Sequence, residues 1–462
     1  MAVTYLFVAV FLGMMGYTCH YAITHQQELI NNSYNGRQEM LVAQNTRGTI
    51  YSRNKDVLAR TEENEEGKEQ RVYPYANMFA HAVGYATNGR YGVEALSNYY
   101  LINSNAKLSD KVAKDVSGEK YPGDNVITTL DLELQQIAYQ SLGVYKGAVI
   151  VSKPDTGEIL AMVSKPDFDP NEIDSIWESV LNDEKSTVLL NRVTQGLYPP
   201  GSTFKIITAL EYMKENPDTY NQYHYQCNGS LTHGEDRINC YHGTVHGSED
   251  FTKSFAKSCN TSFANIGLQL KRTSFANTLD ELLFNEDLPV KFAYNKSKLL
   301  IDENTSDSDM MQAAIGQGST QITPLHLNMI TCAIANRGTL MKPYMVDRVE
   351  NSEGNVVKQF SPDAYYGRLM TEKEAEQLTT LMKEVVESGT GTKLSGLSYT
   401  AAGKTGSAEY SSVKTDSHAW FTGFAPAEDP TICVTIIIEG AGSGGDYAVP
   451  IAKRIFDAYF NA

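Results

Sequence analysis

The run Pro199-Pro200-Gly201-Ser202-Thr203-Phe204-Lys205 opens a strongly apolar stretch, residues 204–213, in which Lys205 is the only basic residue before Lys214. On a helix, Ser202 and Lys205 stand three apart and share one face. An ammonium among apolar neighbours is costly to desolvate, so it is either paired or has a lowered pKa. A neutral amine beside a hydroxyl is a general base beside a nucleophile. The N–H groups of the helix start can also receive an oxyanion. Two further patterns follow in order: Ser258-Cys259-Asn260, 56 residues after Ser202, and Lys404-Thr405-Gly406-Ser407 within the Gly-rich TAAGKTGSAEY.

Each pattern also has bland matches. Ser-x-x-Lys recurs at Ser52, Ser104, Ser117, Ser254 and Ser411, none heading a comparably apolar helix, and Ser-x-Asn recurs at Ser33 and Ser52. Lys-Thr-Gly occurs once. The order and setting of the three together carry the weight. Other conspicuous residues read as structural: Cys259 as a packing residue, His418, Trp420 and Phe421 as core and wall, Gly316-Gln317-Gly318 as a helix entry near the cleft, and 302–309 as a solvated acidic loop. Cys227 and Cys240 crowd a polar loop with His233, His242 and His246, where a disulfide, unpaired thiols and a metal site are all open readings.

These motifs need a scaffold. Two β-rich runs, 147–152 and 158–163, flank a turn at 154–157 and predict a hairpin. Residues 419–424 and 431–439 read as strands, and a helix is expected from Pro450 with Ile451, Ile455 and Tyr459 at i, i+4 and i+8. Helical patterns lie between, including 325–335 and 372–388. Strands at both ends of a helical middle predict an α+β domain, an antiparallel sheet with helices on its faces. Upstream, 47–59 alternates around a turn at Asn54 and Lys55, 125–129 reads as a strand, and 131–142 as a helix capped by Asp131. Residues 26–43 read as a polar helix.

With 39 Lys plus Arg against 55 Asp plus Glu, the 462 residues carry a net charge of −16. The composition, 42% hydrophobic and 20% charged, is globular and excludes a disordered tail protein. The chain has room for two or three domains of ~100–200 residues. Its charge and the absence of any Lys/Arg run repel a polyphosphate backbone, so nucleic acid is excluded as a partner. Six Cys without a CxxC pair make neither a disulfide scaffold nor a zinc ribbon, and Cys19, Cys332 and Cys433 sit in apolar runs. Residues 2–17 are uncharged and the run continues to His25. About 20 helical residues nearly span a ~30 Å hydrocarbon core. With no basic start and no small-x-small exit, the segment is expected to be an uncleaved anchor, and with no basic flank its orientation is open.

The ordered set Ser-x-x-Lys, Ser-x-Asn and Lys-Thr-Gly resembles the signature of the penicillin-binding proteins and serine β-lactamases. The likeness runs from about residue 47 to 460 through RGTIYSRNKDVLA, GVEAL, PGDNVITTLDLELQ, GAVIVSKPDTGEILAMVSKPDFDPN, SCNTSF, GQG followed by TPLH, and HAWFTGFAP. On these segments the chain resembles a membrane-anchored class B penicillin-binding protein with a short pedestal. The resemblance implies a transmembrane anchor at 1–24, an N-terminal dimerisation-like pedestal at 25–143 and a transpeptidase domain at 144–462. It implies a D,D-transpeptidase that cross-links peptidoglycan stem peptides outside the cytoplasmic membrane, in elongation or division, and is acylated by β-lactams, with no cofactor. Ser202 would be the nucleophile and Lys205 its base. Ser258 would relay a proton, Asn260 bind a substrate amide, and Lys404 and Thr405 hold the donor's terminal carboxylate. Gly406 would let the substrate backbone lie against the strand, and the N–H groups of Ser202 and Ser407 would receive the oxyanion. A polytopic glycan polymerase of the shape, elongation, division and sporulation family is the implied partner of pedestal and anchor.

Class A β-lactamases use a Glu to activate the deacylating water. Glu281 with Asn285 matches Glu-x-x-x-Asn, but its place in an amphipathic helix 23 residues after Ser258 reads as coincidence. Without such a base the acyl-enzyme should wait for an amine, which favours a transpeptidase over a β-lactamase or D,D-carboxypeptidase. A β-lactam sensor using the same chemistry would need a signalling domain across the membrane. Related penicillin-binding proteins can hold zinc near Cys227 and Cys240.

Overall fold

The computed structural model describes residues 2–24, 37–360, 365–409 and 417–461. Helix α1 (Ala2–Thr24) holds a 20-residue apolar stretch, Ala2–Tyr21, with a mean hydropathy of 1.7, long and apolar enough to cross a membrane. Of the polar helix expected over 26–43, residues 26–36 lie outside the described residues, and the remainder forms the helix Arg37–Gln44.

A six-stranded sheet gathers the N-terminal segment. Its spatial order is Val356–Gln359, Val346–Glu350, Asn125–Thr128, Ile50–Tyr51, Val57–Glu63, Glu69–Val72. The hairpin turn falls at Asn54-Lys55 as its alternation predicts, with Lys55 at φ 68° and its N–H donating to the Ser52 carbonyl at 3.1 Å. Two of the six strands come from far along the chain and lock this segment to the C-terminal body. Glu94 is fully buried, paired with Arg47 at 2.6 Å and Arg71 at 2.7 Å, the company a buried carboxylate needs.

The C-terminal body is built on a five-stranded antiparallel sheet. Its strands are β1 (Gly147–Ser152), β2 (Ile159–Lys165), β3 (Ala402–Glu409), β4 (Ser417–Ala425) and β5 (Ile432–Ile438), in the spatial order β3-β4-β5-β1-β2. Successive side chains alternate between two apolar faces. Ile150, Met162, Trp420 and Ile437 point into the main core, while Val149, Val163, Phe421 and Ile436 join a second core with the helix Leu132–Leu142. Both faces are therefore covered, as the unbroken apolar runs require. Asp131 caps Leu132–Leu142 by accepting the Glu133 and Leu134 N–H groups, each at 3.1 Å. Against the main-core face lies the helix Pro324–Ala335, and α2 (Lys205–Glu215), with every residue from Lys205 to Met213 buried, packs among the helices of the same core. Helix α3 (Asn260–Gln269) follows, and α4 (Gly444–Asn461) closes the chain over the second core.

Three expectations need correction. Helix α4 starts at Gly444, six residues before Pro450, which is accommodated inside it. A Cβ on Gly444 would lie 2.2 Å from the Trp420 carbonyl oxygen and 2.5 Å from that of Gly406, so glycine alone lets the first turn rest on the sheet. The acidic run 302–309 is not all loop: Ser306 caps the helix Asp307–Ala314, and Asp307 pairs with Arg272 at 2.6 Å and His233 at 2.9 Å. Gly316 consequently marks a helix exit, not an entry.

Candidate active site

Ser202 sits in the 3-10 turn Gly201–Phe204 that leads into α2. In that geometry residues i and i+3 eclipse, so Ser202 and Lys205 fall on one side as their spacing predicts. The turn is fixed from behind. Gly201 has φ 52°, its N–H donates to the Gly316 carbonyl at 2.9 Å, and a Cβ on Gly316 would lie 2.2 Å from the Gly201 carbonyl oxygen. The Gly-Gln-Gly segment is thus a wedge under the Ser202 turn.

Lys205 is fully buried. Its Nζ donates to the Ser258 carbonyl at 2.6 Å, to Asn260 Oδ1 at 2.7 Å and to Ser258 Oγ at 3.3 Å, and lies 5.5 Å from the centre of the Phe263 ring. Burial pulls its pKa down to about 8, against the opposing pull of Cys259, Cys240 and Glu249. Lys404, from β3, is buried as completely; its Nζ donates to Ser258 Oγ at 2.9 Å and to the Thr405 carbonyl at 3.1 Å. Burial first, then the charge of Lys205, hold its pKa well below the ordinary lysine value. Two buried amines thus share one hydroxyl, and their mutual repulsion favours a state in which one of them is neutral. Ser258 itself has φ 60°, a left-handed conformation that a non-glycine residue adopts only when its surroundings impose it.

Ser202, Ser258, Asn260, Thr405, Gly406 and Ser407 line one cleft of about 1150 Å³. Strand β3 comes this close because Gly406 has no side chain: a Cβ there would sit 3.0 Å from the Pro200 carbonyl oxygen and 3.1 Å from Thr203 Cγ2. The hydrogen bond between Ser202 and Lys205 that the spacing suggests is not formed. Lys205 is turned to a carbonyl and an amide oxygen, and among the described residues no hydrogen bond engages the Ser202 hydroxyl. Catalytic hydrogen bonds commonly tighten only when substrate fills the site. Thr390 lines the cleft too, its Oγ1 2.5 Å from Thr405 Oγ1. It stands in a Ser-Gly-Thr-Gly-Thr turn with no motif to flag it. Glu281 ends the helix Arg272–Glu281, pairs with Lys214 at 2.5 Å and is absent from the cleft lining.

The cysteine loop departs most from its sequence reading. Cys227 and Cys240 form no disulfide: their sulfurs stand 3.7 Å apart against the ~2.05 Å of a bond. Cys259 is more than packing. Its Sγ lies 3.8 Å from Cys240 Sγ, and His246 Nδ1 lies 3.4 Å from Cys227 Sγ. The four ligand atoms all fall within 4.8 Å of one another. Tetrahedral Zn–S bonds of about 2.3 Å place sulfurs about 3.8 Å apart, so this Cys3His set fits a structural zinc ion. Beside it Glu249 is buried with Oε2 unpartnered. Among the described histidines only His246 joins; His233 is bound to Asp307 and His242 stacks edgewise on Tyr241. Bound there, zinc would supply a fixed anchor for Cys259, the residue between Ser258 and Asn260.

Residues 147–457 match the penicillin binding protein transpeptidase domain. The chain belongs to that family. Residues 47–126 of this penicillin-binding protein match a second domain, the penicillin binding protein A dimerisation domain. The peptidoglycan D,D-transpeptidase PbpA of Mycolicibacterium smegmatis is 30% identical, over 84% of each chain. Among solved structures, the D,D-transpeptidase domain of a peptidoglycan glycosyltransferase from Eggerthella lenta superposes with a TM-score of 0.81 at 29% identity, covering 90% of this chain and 99% of that one. Penicillin-binding protein A of M. tuberculosis, as its imipenem acyl-enzyme, gives 0.80 at 26% identity, covering 90% and 99%. The α+β architecture and the class B type that the sequence implied therefore hold for this penicillin-binding protein, which is a D,D-transpeptidase.

Proposed function

We infer that this chain cross-links peptidoglycan stem peptides through an acyl-enzyme on Ser202. The observation that carries the assignment is the Ser258 hydroxyl shared by Lys205 and Lys404 in the cleft that Ser202 lines. The Ser202 hydroxyl attacks the carbonyl of the penultimate D-alanine, and neutral Lys205 takes its proton. The N–H groups of Ser202 and Ser407 receive the oxyanion. As the C–N bond breaks, a proton relayed through Ser258 goes to the departing D-alanine. An acceptor amine then attacks the ester and regenerates the serine. Asn260 holds the donor's amide, and Lys404 with Thr405 holds its terminal carboxylate, the one fixed charge at that end. β-Lactams enter the first half of this sequence and stall there. Full-length protein given a donor ending in D-Ala-D-Ala should release D-alanine at a rate that rises with added amine acceptor. Release indifferent to acceptor would make it a carboxypeptidase, and rapid turnover of penicillin a β-lactamase.

Residues 1–24 serve as a single-pass anchor in the cytoplasmic membrane, 25–143 as the pedestal, and 144–462 as the extracytoplasmic catalytic unit. The apolar, uncharged α1 supports the anchor, and the strands Val346–Glu350 and Val356–Gln359 lent to the pedestal sheet support a pedestal fixed to the catalytic unit. Pedestal and anchor dock on a polytopic glycan polymerase of the shape, elongation, division and sporulation family, as Gly13 and Gly16 in α1 allow by close helix packing. Separation of the two proteins in mild detergent, with polymerase activity unchanged by this chain, would contradict that partnership.

A further inference from the structure

We propose that Cys227, Cys240, His246 and Cys259 form a redox-sensitive clamp: with metal bound it positions Ser258 and Asn260, and oxidation of Cys240 releases the metal and slows acylation of Ser202. The inference rests on the transpeptidase reading and on the fit of the Cys3His set to zinc.

Cys259 stands between the two residues that engage the catalytic lysines. Its Sγ accepts the Ser262 N–H at 3.5 Å, so one sulfur both caps α3 and joins the cluster. Ser258 and Asn260 are its immediate neighbours, and the left-handed φ of Ser258 needs an outside constraint to persist. The other ligands supply one: Cys227 ends the strand His224–Cys227, while Cys240 and His246 belong to the segment that walls the cleft beside Asn260. A shared ion ties that wall to the start of α3, and Cys259 is a positioning residue.

Three of the four ligands are cysteines, which would bind the metal as thiolates, and thiolates are oxidisable. Cys240 is the one thiol of the three that lines the cleft, so a small oxidant entering there meets it first. The oxidant is a peroxide. The Cys240 thiolate attacks one oxygen of hydrogen peroxide, giving a sulfenic acid and hydroxide. The thiolate of Cys227 or Cys259 then attacks that sulfur, forms the disulfide and expels a second hydroxide. The two sulfurs lose two electrons, and the peroxide gains them and leaves as the two hydroxides, which pass to solvent. From 3.7 or 3.8 Å the sulfurs close by about 1.7 Å to reach a bond. Two ligands remain, and the ion leaves as a divalent cation.

The test uses full-length protein in detergent, prepared without chelator. Zinc content is measured first, then peroxide is titrated while released zinc, the disulfide by peptide mapping, the melting transition and the rate of Ser202 labelling by a fluorescent penicillin are followed. We expect one zinc per chain, its release in step with one disulfide containing Cys240, a folded product, and labelling slowed roughly ten- to a hundredfold. Thiol reductant plus zinc should restore the rate. An unchanged rate once the zinc is out overturns the clamp. Absence of zinc from the starting protein removes its metal. Failure to label before any oxidant is added strikes the transpeptidase reading instead. In Cys240→Asp, peroxide should neither release zinc nor alter that variant's own labelling rate; a rate that still falls places the sensitive group elsewhere and overturns the role of Cys240.

Discussion

Ser258 is where the chemistry converges, because its hydroxyl meets both buried amines and its backbone is held left-handed by what surrounds it. In the proposed mechanism Lys205 accepts the Ser202 proton, and with its pKa pulled down to about 8 the neutral amine grows as pH rises through that value, so the penicillin acylation rate should climb across about pH 7–9. The Lys404 pKa is depressed as well, by burial and then by the charge of Lys205, so its discharge as pH rises should weaken the grip on the substrate carboxylate and limit that climb. Stability moves with the same sign. The folded pKa of Lys205 lies below its ordinary 10.5, so the unfolded chain holds more protons between about 8 and 10.5, and stability attributable to this group rises with pH through that window. Below about 8 the burial penalty is felt in full. A flat acylation profile from pH 6 to 9 would remove Lys205 as the base. Replacing Lys205 by Ala should slow acylation by about 10²–10⁴ while leaving the fold intact by circular dichroism. At this scale the three motifs were legible because Ser202 and Lys205 share a turn and Lys-Thr-Gly is unique. Cys259 and Thr390 were not, since their partners lie on segments that sequence spacing does not relate to them.

At the scale of elements, the Ser202 turn is a junction between the start of α2, strand β3 and the exit of the helix Asp307–Ala314. Gly316 makes the junction possible, with φ 70° and no room for a side chain against Gly201. Gly316→Ala should therefore push the Gly201–Ser202 backbone out of place. The left-handed conformation alone costs about 1–2 kcal/mol, so a lower melting temperature should accompany slower acylation. Normal acylation by the variant would mean that the turn is set elsewhere. Local patterns foretold β1 and β2, the Asp131 cap and the helix Glu372–Glu387, whose apolar periodicity and Thr371–Glu374 capping box are self-contained. The early start of α4 was hidden, because Pro450 reads as a helix beginning while the true first turn depends on Gly444 lying against β3 and β4, a tertiary contact.

Over the whole molecule, strands from residues 346–359 complete the six-stranded N-terminal sheet and tie that segment to the catalytic body. The antiparallel catalytic sheet and the apolar α1 were readable from pattern and length; the long-range strand exchange was not, since nothing local in 346–359 names its partners. Glu94 tests the pedestal separately from the catalytic site. Glu94→Ala would leave Arg47 and Arg71 buried without their counter-charge, a loss of about 3–5 kcal/mol. The melting temperature should drop well below that of the parent, while folded molecules still label with penicillin; an unchanged melting temperature would show the ion network to be dispensable. The most direct measurement for the whole account is intact mass spectrometry of the full-length protein after brief exposure to a penicillin, followed by peptide mapping. One adduct per chain, carried by Ser202, persisting without an amine acceptor and absent from Ser202→Ala, is the predicted result. An adduct on another residue, or one that survives Ser202→Ala, would contradict it.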